Sequence, residues 1–181
     1  TLTRHPMAVA DQNAGRLFWQ TLNETVWLVH AAQAYDCVYD WIGPDDRRKI
    51  DNGVFLPMAR FFAVEHRKDL DRIHNHGTWM AAAVGLLGYT LRDRSLVDQA
   101  LLGSERNRTG GFLRQLDLLF SPDGYYAEGP YYARYALMPF YLFALAIEHN
   151  QPELKIFSYR DGILQKALLA KDTGRAARDY V

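Results

Sequence analysis

Thr78-Trp79-Met80-Ala81-Ala82-Ala83-Val84-Gly85-Leu86-Leu87-Gly88-Tyr89-Thr90-Leu91 is apolar almost without interruption. A helix with nonpolar side chains all round has no face to give to water, so it belongs inside a core. The small Ala and Gly side chains predict neighbours packed close against it. No apolar run in the chain approaches the roughly 18 residues a membrane span needs. The longest, residues 136–147, ends at Glu148-His149.

Outward from this segment the pattern is helix after helix. Residues 13–39 place Phe18, Leu22, Val26 and Val29 at steps of three or four, which is helical spacing. Gly43-Pro44-Asp45-Asp46 breaks the chain and restarts it, with Pro44 and two carboxylates suited to a first helical turn. That helix is expected to reach about His66 with a kink at Pro57. Residues 69–76 read as a polar loop. Residues 95–120 read as a further helix with a break near Gly110-Gly111, followed by the turn Ser121-Pro122-Asp123-Gly124. Residues 131–148 form the next, with Pro139 inside it, and 158–170 the last; the polar end, 171–181, is expected to fray. Almost nothing has the alternation of a strand. The expectation is an all-α chain, residues 1–181 as one helical domain of antiparallel hairpins.

Composition narrows the function. Lys plus Arg and Asp plus Glu both number 21 in 181 residues, so the formal net charge is zero. That argues against a nucleic-acid binder, which carries a basic excess, yet leaves room for a locally basic cleft. The single cysteine, Cys37, reads as a small buried hydrophobe. No signal peptide is visible, and the chain does not begin with Met.

Two segments carry more chemistry than packing requires. The first is Ile73-His74-Asn75-His76-Gly77-Thr78-Trp79, where Asn75 suits a helix N-cap. His74 and His76 invite a metal reading, but no familiar ligand spacing accompanies them, so no metal is assigned. The second is Asp123-Gly124-Tyr125-Tyr126-Ala127-Glu128-Gly129-Pro130-Tyr131-Tyr132-Ala133-Arg134-Tyr135-Ala136-Leu137, with five tyrosines in eleven residues beside a Glu and an Arg. Tyr132 and Tyr135, three apart, share one helix face. An aromatic packing stripe is the plain structural alternative.

Together these segments resemble the alginate lyases and heparinase II/III-like polysaccharide lyases, whose fold is an incomplete (α/α) toroid. The resemblance rests on Asn75-His76 followed by Gly77-Thr78-Trp79, and on the later D-G-x-x-x-E-G-P-x-Y-x-x-Y-A-L pattern from Asp123 to Leu137. It covers residues 70–150. It implies that this chain supplies part of the toroid, as a fragment of a larger enzyme with further helices and a β-sheet domain. It implies β-elimination on a uronic-acid polysaccharide, alginate-like or heparin-like. Asn75 would neutralise the sugar carboxylate, with His76 as base and Tyr132 as acid, or Tyr132 as both. Tyr132 has the phenol to protonate a leaving oxygen, and the His76 imidazole titrates near neutral pH. Candidate substrate contacts are Arg134, Glu128, Trp79, Tyr131, Tyr135 and His74. No cofactor is implied, the partner is an anionic polysaccharide, and the location is periplasmic or secreted. Two alternatives stay open: a helical glycoside hydrolase, which would need two carboxylates such as Glu128 and Asp123, and a non-catalytic carbohydrate-binding or interaction domain.

Overall fold

The structure, a computed structural model, describes residues 15–172. Its helices are α1 (Thr21–Val38), α2 (Pro44–Ile50), α3 (Leu56–Arg60), α4 (Arg67–Leu70), α5 (Asn75–Thr90), α6 (Arg94–Leu102), α7 (Gly111–Leu118), α8 (Gly129–Asn150) and α9 (Tyr159–Asp172). Among the described residues the one β feature is an isolated bridge between Phe120 and Tyr126. The all-α expectation holds.

α5 is the centre. From Asn75 to Gly88 every residue but His76 is buried. Its small residues are used as the sequence suggests. A β-carbon on Gly85 would lie 2.1 Å from the Phe143 ring of α8, and one on Gly77 would lie 1.9 Å from the Arg72 carbonyl oxygen. α8 runs beside α5 in the same direction: Trp79 stacks on Tyr135 at 5.0 Å between centroids, and further along Tyr89 bonds Gln151 at 2.7 Å. α1 packs on the other side of α5. The last turns of α1, α5 and α8 face one depression of about 350 Å³ around Asp36, Thr90 and Asn150, so all three helices finish at the same end.

Each of these helices is followed by a return. After α1 the chain descends through α2 to α4: Tyr35 donates to Asp51 at 2.8 Å near one end, and Arg16 pairs with Glu65 at 2.7 Å near the other. The descent is helical throughout residues 44–65 but contains two π-helical turns, Asp51–Phe55 and Phe61–Glu65. Pro57 follows the first of them; a π turn absorbs the hydrogen bond a proline cannot make. After α5 the return is α6 and α7, and after α8 it is α9, whose Leu164 carbonyl accepts from Tyr141 at 2.6 Å. The result is three antiparallel hairpins. One hydrophobic cluster, from Leu28 on α1 to Ala167 on α9, joins them all.

Several boundaries differ from the sequence reading, each for a local reason. Residues 15–20 are bent rather than helical, because Glu24 turns its carboxylate back onto their backbone: Leu17 N donates to Oε2 at 2.9 Å and Arg16 N does so as well. Asn13 lies outside the described residues, as do His5 and residues 173–181. The expected helix 95–120 divides already at Gly103, whose φ of +91° is a glycine conformation, and resumes at Gly111. Asp71 anchors the intervening loop by accepting from the backbone and side chain of Ser104. The loop expected at 69–76 is shorter: α4 ends within it, and α5 starts at Asn75. Cys37 is exposed, not buried, since it falls on the outer side of α1. No described helix is long and apolar enough to cross a membrane.

Candidate active site

α5 begins where the chain leaves α4 in extended backbone at His74 (φ −172°, ψ 159°). Position N-cap belongs to His74, not to Asn75: the His74 ring Nδ1 accepts from His76 N at 3.4 Å. Asn75 is the first helical residue and only 3% exposed. The turn is fixed from α7 by Gln115, itself fully buried, which donates to the Arg72 carbonyl at 2.7 Å and accepts from Thr78 Oγ1 at 3.0 Å and His74 N at 3.3 Å. Sequence reading did not single out Gln115; a lone Gln in an amphipathic helix carries no signal of its own.

The second segment enters from the other side. A turn at Ser121–Gly124 is closed by Ser121 N donating to the Tyr125 carbonyl at 2.9 Å, and α8 starts at Gly129. Glu128 immediately precedes that start, and its carboxylate reaches 53 residues back along the chain. Oε1 accepts from Asn75 N at 2.7 Å and from the Tyr126 hydroxyl at 2.8 Å. Oε2 accepts from Asn75 Nδ2, with His74 Nε2 at 3.5 Å. A carboxylate at the first turn of α5 also meets the positive end of that helix.

The protonation states follow from these neighbours. Burial works to raise the Glu128 pKa, but the hydrogen bonds from Tyr126 and Asn75 outweigh it and hold the group below the usual carboxylate range. Glu128 is therefore ionised, the reverse of what the general acid of a hydrolase requires. Tyr126 is driven upward by burial and by its bond to Glu128, so it remains a neutral donor. His76 is lowered by burial and by His74 and Arg72, so near neutrality its imidazole is uncharged and able to accept a proton. Its ring lies 5.0 Å from that of His74.

The first turns of α8 carry a second cluster. Tyr131 and Tyr132 are 74% and 48% exposed and meet edge to face at 5.6 Å. Arg134 lies over the Tyr131 ring at 5.6 Å. With Tyr135 these side chains line an open depression of about 430 Å³. Burial pushes the Tyr135 hydroxyl up to about 12. Trp79 does not join this surface. It is 1% exposed, with its indole packed on Tyr135, so it supports the depression from beneath and offers no face to a sugar. The expectation that Trp79 contacts substrate directly is corrected: an indole one turn into an all-round buried helix has nowhere to go but the core.

The chain thus holds two groups. One is His74, Asn75, His76 and Glu128 at the start of α5, and the other is Tyr131, Tyr132, Arg134 and Tyr135 at the start of α8. Glu128 and the Trp79–Tyr135 stack connect them. Such an arrangement can place an amide donor, a neutral imidazole, phenols and a guanidinium at one end of two parallel helices.

The family model described as alginate lyase matches residues 4–170. The chain is 55% identical over 168 residues to an exo-oligoalginate lyase of Saccharophagus degradans, covering 93% of this chain and 23% of that protein. It is 56% identical over 168 residues to an alginate lyase of Stenotrophomonas maltophilia, covering 93% of this chain and 22% of that protein. The chain thus spans less than a quarter of the length of these curated relatives.

Proposed function

Since this chain belongs to the alginate lyase family, we propose that it contributes the elimination machinery of a polysaccharide lyase acting on alginate. Removing the C5 proton of a uronate is hard because the adjacent carboxylate resists further negative charge. In this reading the Asn75 amide donates to that carboxylate and stabilises the enolate-like transition state, a kind of contact typically worth about 3–4 kcal/mol. His76, uncharged near neutrality, takes the C5 proton, and the Tyr132 hydroxyl protonates the C4 oxygen as it leaves; a C4–C5 double bond forms and the glycosidic C4–O bond breaks. For substrates of the other stereochemistry Tyr132 serves as both base and acid. Arg134, Tyr131 and Tyr135 contact the sugar acid groups and rings. The three hairpins are then an arc of an (α/α) toroid whose remaining helices close the cleft.

The observation that carries this reading is the tie through Glu128 between the Asn75-His76 turn and the turn that leads into Tyr132. The ionised state of Glu128 weighs against the hydrolase alternative.

The test is incubation of the intact protein with oligoalginate while following the ultraviolet absorbance of the unsaturated product. Tyr132→Phe is expected to lower the rate at least ~100-fold. Its melting temperature should stay put, since the ring is half exposed. Loss of the unsaturated signal in the wild type, or a full rate in Tyr132→Phe, would overturn the assignment. A purely binding domain would bind oligoalginate equally well in both forms and release nothing.

A further inference from the structure

Glu128 is the most heavily bonded carboxylate of the candidate site. One oxygen accepts from Asn75 N and Tyr126 Oη, and the other accepts from Asn75 Nδ2 with His74 Nε2 at 3.5 Å. A carboxylate offers about four lone-pair directions. Three are taken by hydrogen bonds from the protein and the His74 ring stands over the fourth at 3.5 Å, which leaves little room for a sugar hydroxyl. A uronate would also be repelled by the charge. The residue therefore does not suit a substrate contact.

What it does suit is orientation. The two ends of an Asn carboxamide are nearly the same shape and differ only in being donor or acceptor. An acceptor-only carboxylate facing that group accepts the nitrogen and repels the oxygen. It thereby fixes which way the amide lies and where its second N–H points. The same carboxylate sits four residues ahead of Tyr132 and holds the entry to α8 against the start of α5. We propose that Glu128 is a positioning residue of the elimination site, aiming the Asn75 amide, and this rests on the role of Asn75 given under Proposed function. Tyr126 assists by donating to the same carboxylate from beneath, where it is 2% exposed.

Glu128→Gln in the intact protein tests this. The substituted amide has the same shape but carries an NH₂ where one oxygen was, and that NH₂ must face a donor. The Asn75 amide is then turned or displaced. With oligoalginate as the probe, kcat is expected to fall about 100-fold, the scale of a misplacement near 1 Å, while KM moves less than about threefold. Because Glu128 acts through Asn75, the double variant Asn75→Ala/Glu128→Gln should be no slower than Asn75→Ala alone. Glu128→Asp keeps the charge and should recover at least about tenfold of the loss. Should Glu128→Gln fail to fold, Tyr126→Phe keeps the charge and removes one donor. It is then expected to lower kcat several-fold, with no further loss on top of Asn75→Ala.

A near-normal kcat in Glu128→Gln beside a slow Asn75→Ala overturns the positioning role and leaves the lyase reading intact. So does a raised KM at unchanged kcat, or losses that multiply in the double variant. A wild type that forms no unsaturated product overturns both.

Discussion

Gly85→Ala adds a single methyl group at the closest approach of α5 and α8. The new β-carbon would lie 2.1 and 2.2 Å from two Phe143 ring atoms and 2.9 Å from a third. Ordinary carbon contacts begin near ~3.5 Å, so a gap of more than about 1 Å must open. Phe143 cannot swing away. It is 0% exposed, with Phe112 edge-on at 4.9 Å and Tyr89 at 6.2 Å. Overpacking of this kind costs about 1–3 kcal/mol, and the overlap here puts it at the upper end. Replacing Gly by Ala within a helix returns about 1 kcal/mol. The net expectation is a loss of about 2 kcal/mol, or a melting temperature lower by about 4–8 °C at this chain length. Thermal denaturation followed by far-ultraviolet circular dichroism measures it. Two companions sharpen the result. Gly53→Ala, where a β-carbon meets nothing within 4 Å, should be neutral or slightly stabilising. Phe143→Leu introduced into Gly85→Ala should cost less than it does alone, because the smaller side chain relieves the overlap. A Gly85→Ala protein that melts at or above the wild type would refute the close-packing argument for α5.

Two further expectations can be checked independently. Gln115→Ala strands the His74 N–H and the Arg72 carbonyl and leaves the Thr78 hydroxyl only the His74 carbonyl at 3.3 Å, so it should cost roughly 2–4 kcal/mol. A shift in the chemical denaturation midpoint worth less than about 1 kcal/mol would contradict that role. His76 acts as a base only when unprotonated, and its pKa is held below the ordinary value of 6.5. The base form therefore persists to lower pH, and the acid limb of kcat/KM should have its midpoint below 6.5; a midpoint above that value would deny His76 the base role.

The helical class was legible because α5 is apolar on every side, and a helix of that kind requires neighbours. Positions of the hairpin turns were legible where Gly and Pro stand close together, as at Gly43-Pro44. They were misjudged where side chains impose the geometry. Nothing in the spacing of Phe18 and Leu22 announces that Glu24 will gather the backbone N–H groups before them. Gly103 opens a polar run, Ser104 to Thr109, that a reading centred on the Gly110-Gly111 pair passed over. For the site, both segments were found from composition and motif. Their connection was not, because the Asn75–Glu128 bonds join residues 53 apart and exist only once α5 and α8 lie side by side. Trp79 stood open between a sugar contact and the core for the same reason: its spacing along α5 does not tell which neighbour covers it.

Pro139 lies inside α8 and has no N–H to give the carbonyl of Tyr135. One rung of the ladder is therefore missing midway along the longest helix. Beyond it Phe140, Phe143, Ala144 and Ile147 are embedded in the interior; ahead of it Tyr131, Tyr132, Tyr135 and Met138 stand in the open. A missing rung of this kind is a place where a helix bends readily. The tyrosine-bearing half is nonetheless held in place, by the Glu128 bonds to Asn75 at its start and by Tyr135 against Trp79, so the gap in the ladder falls between two anchored stretches.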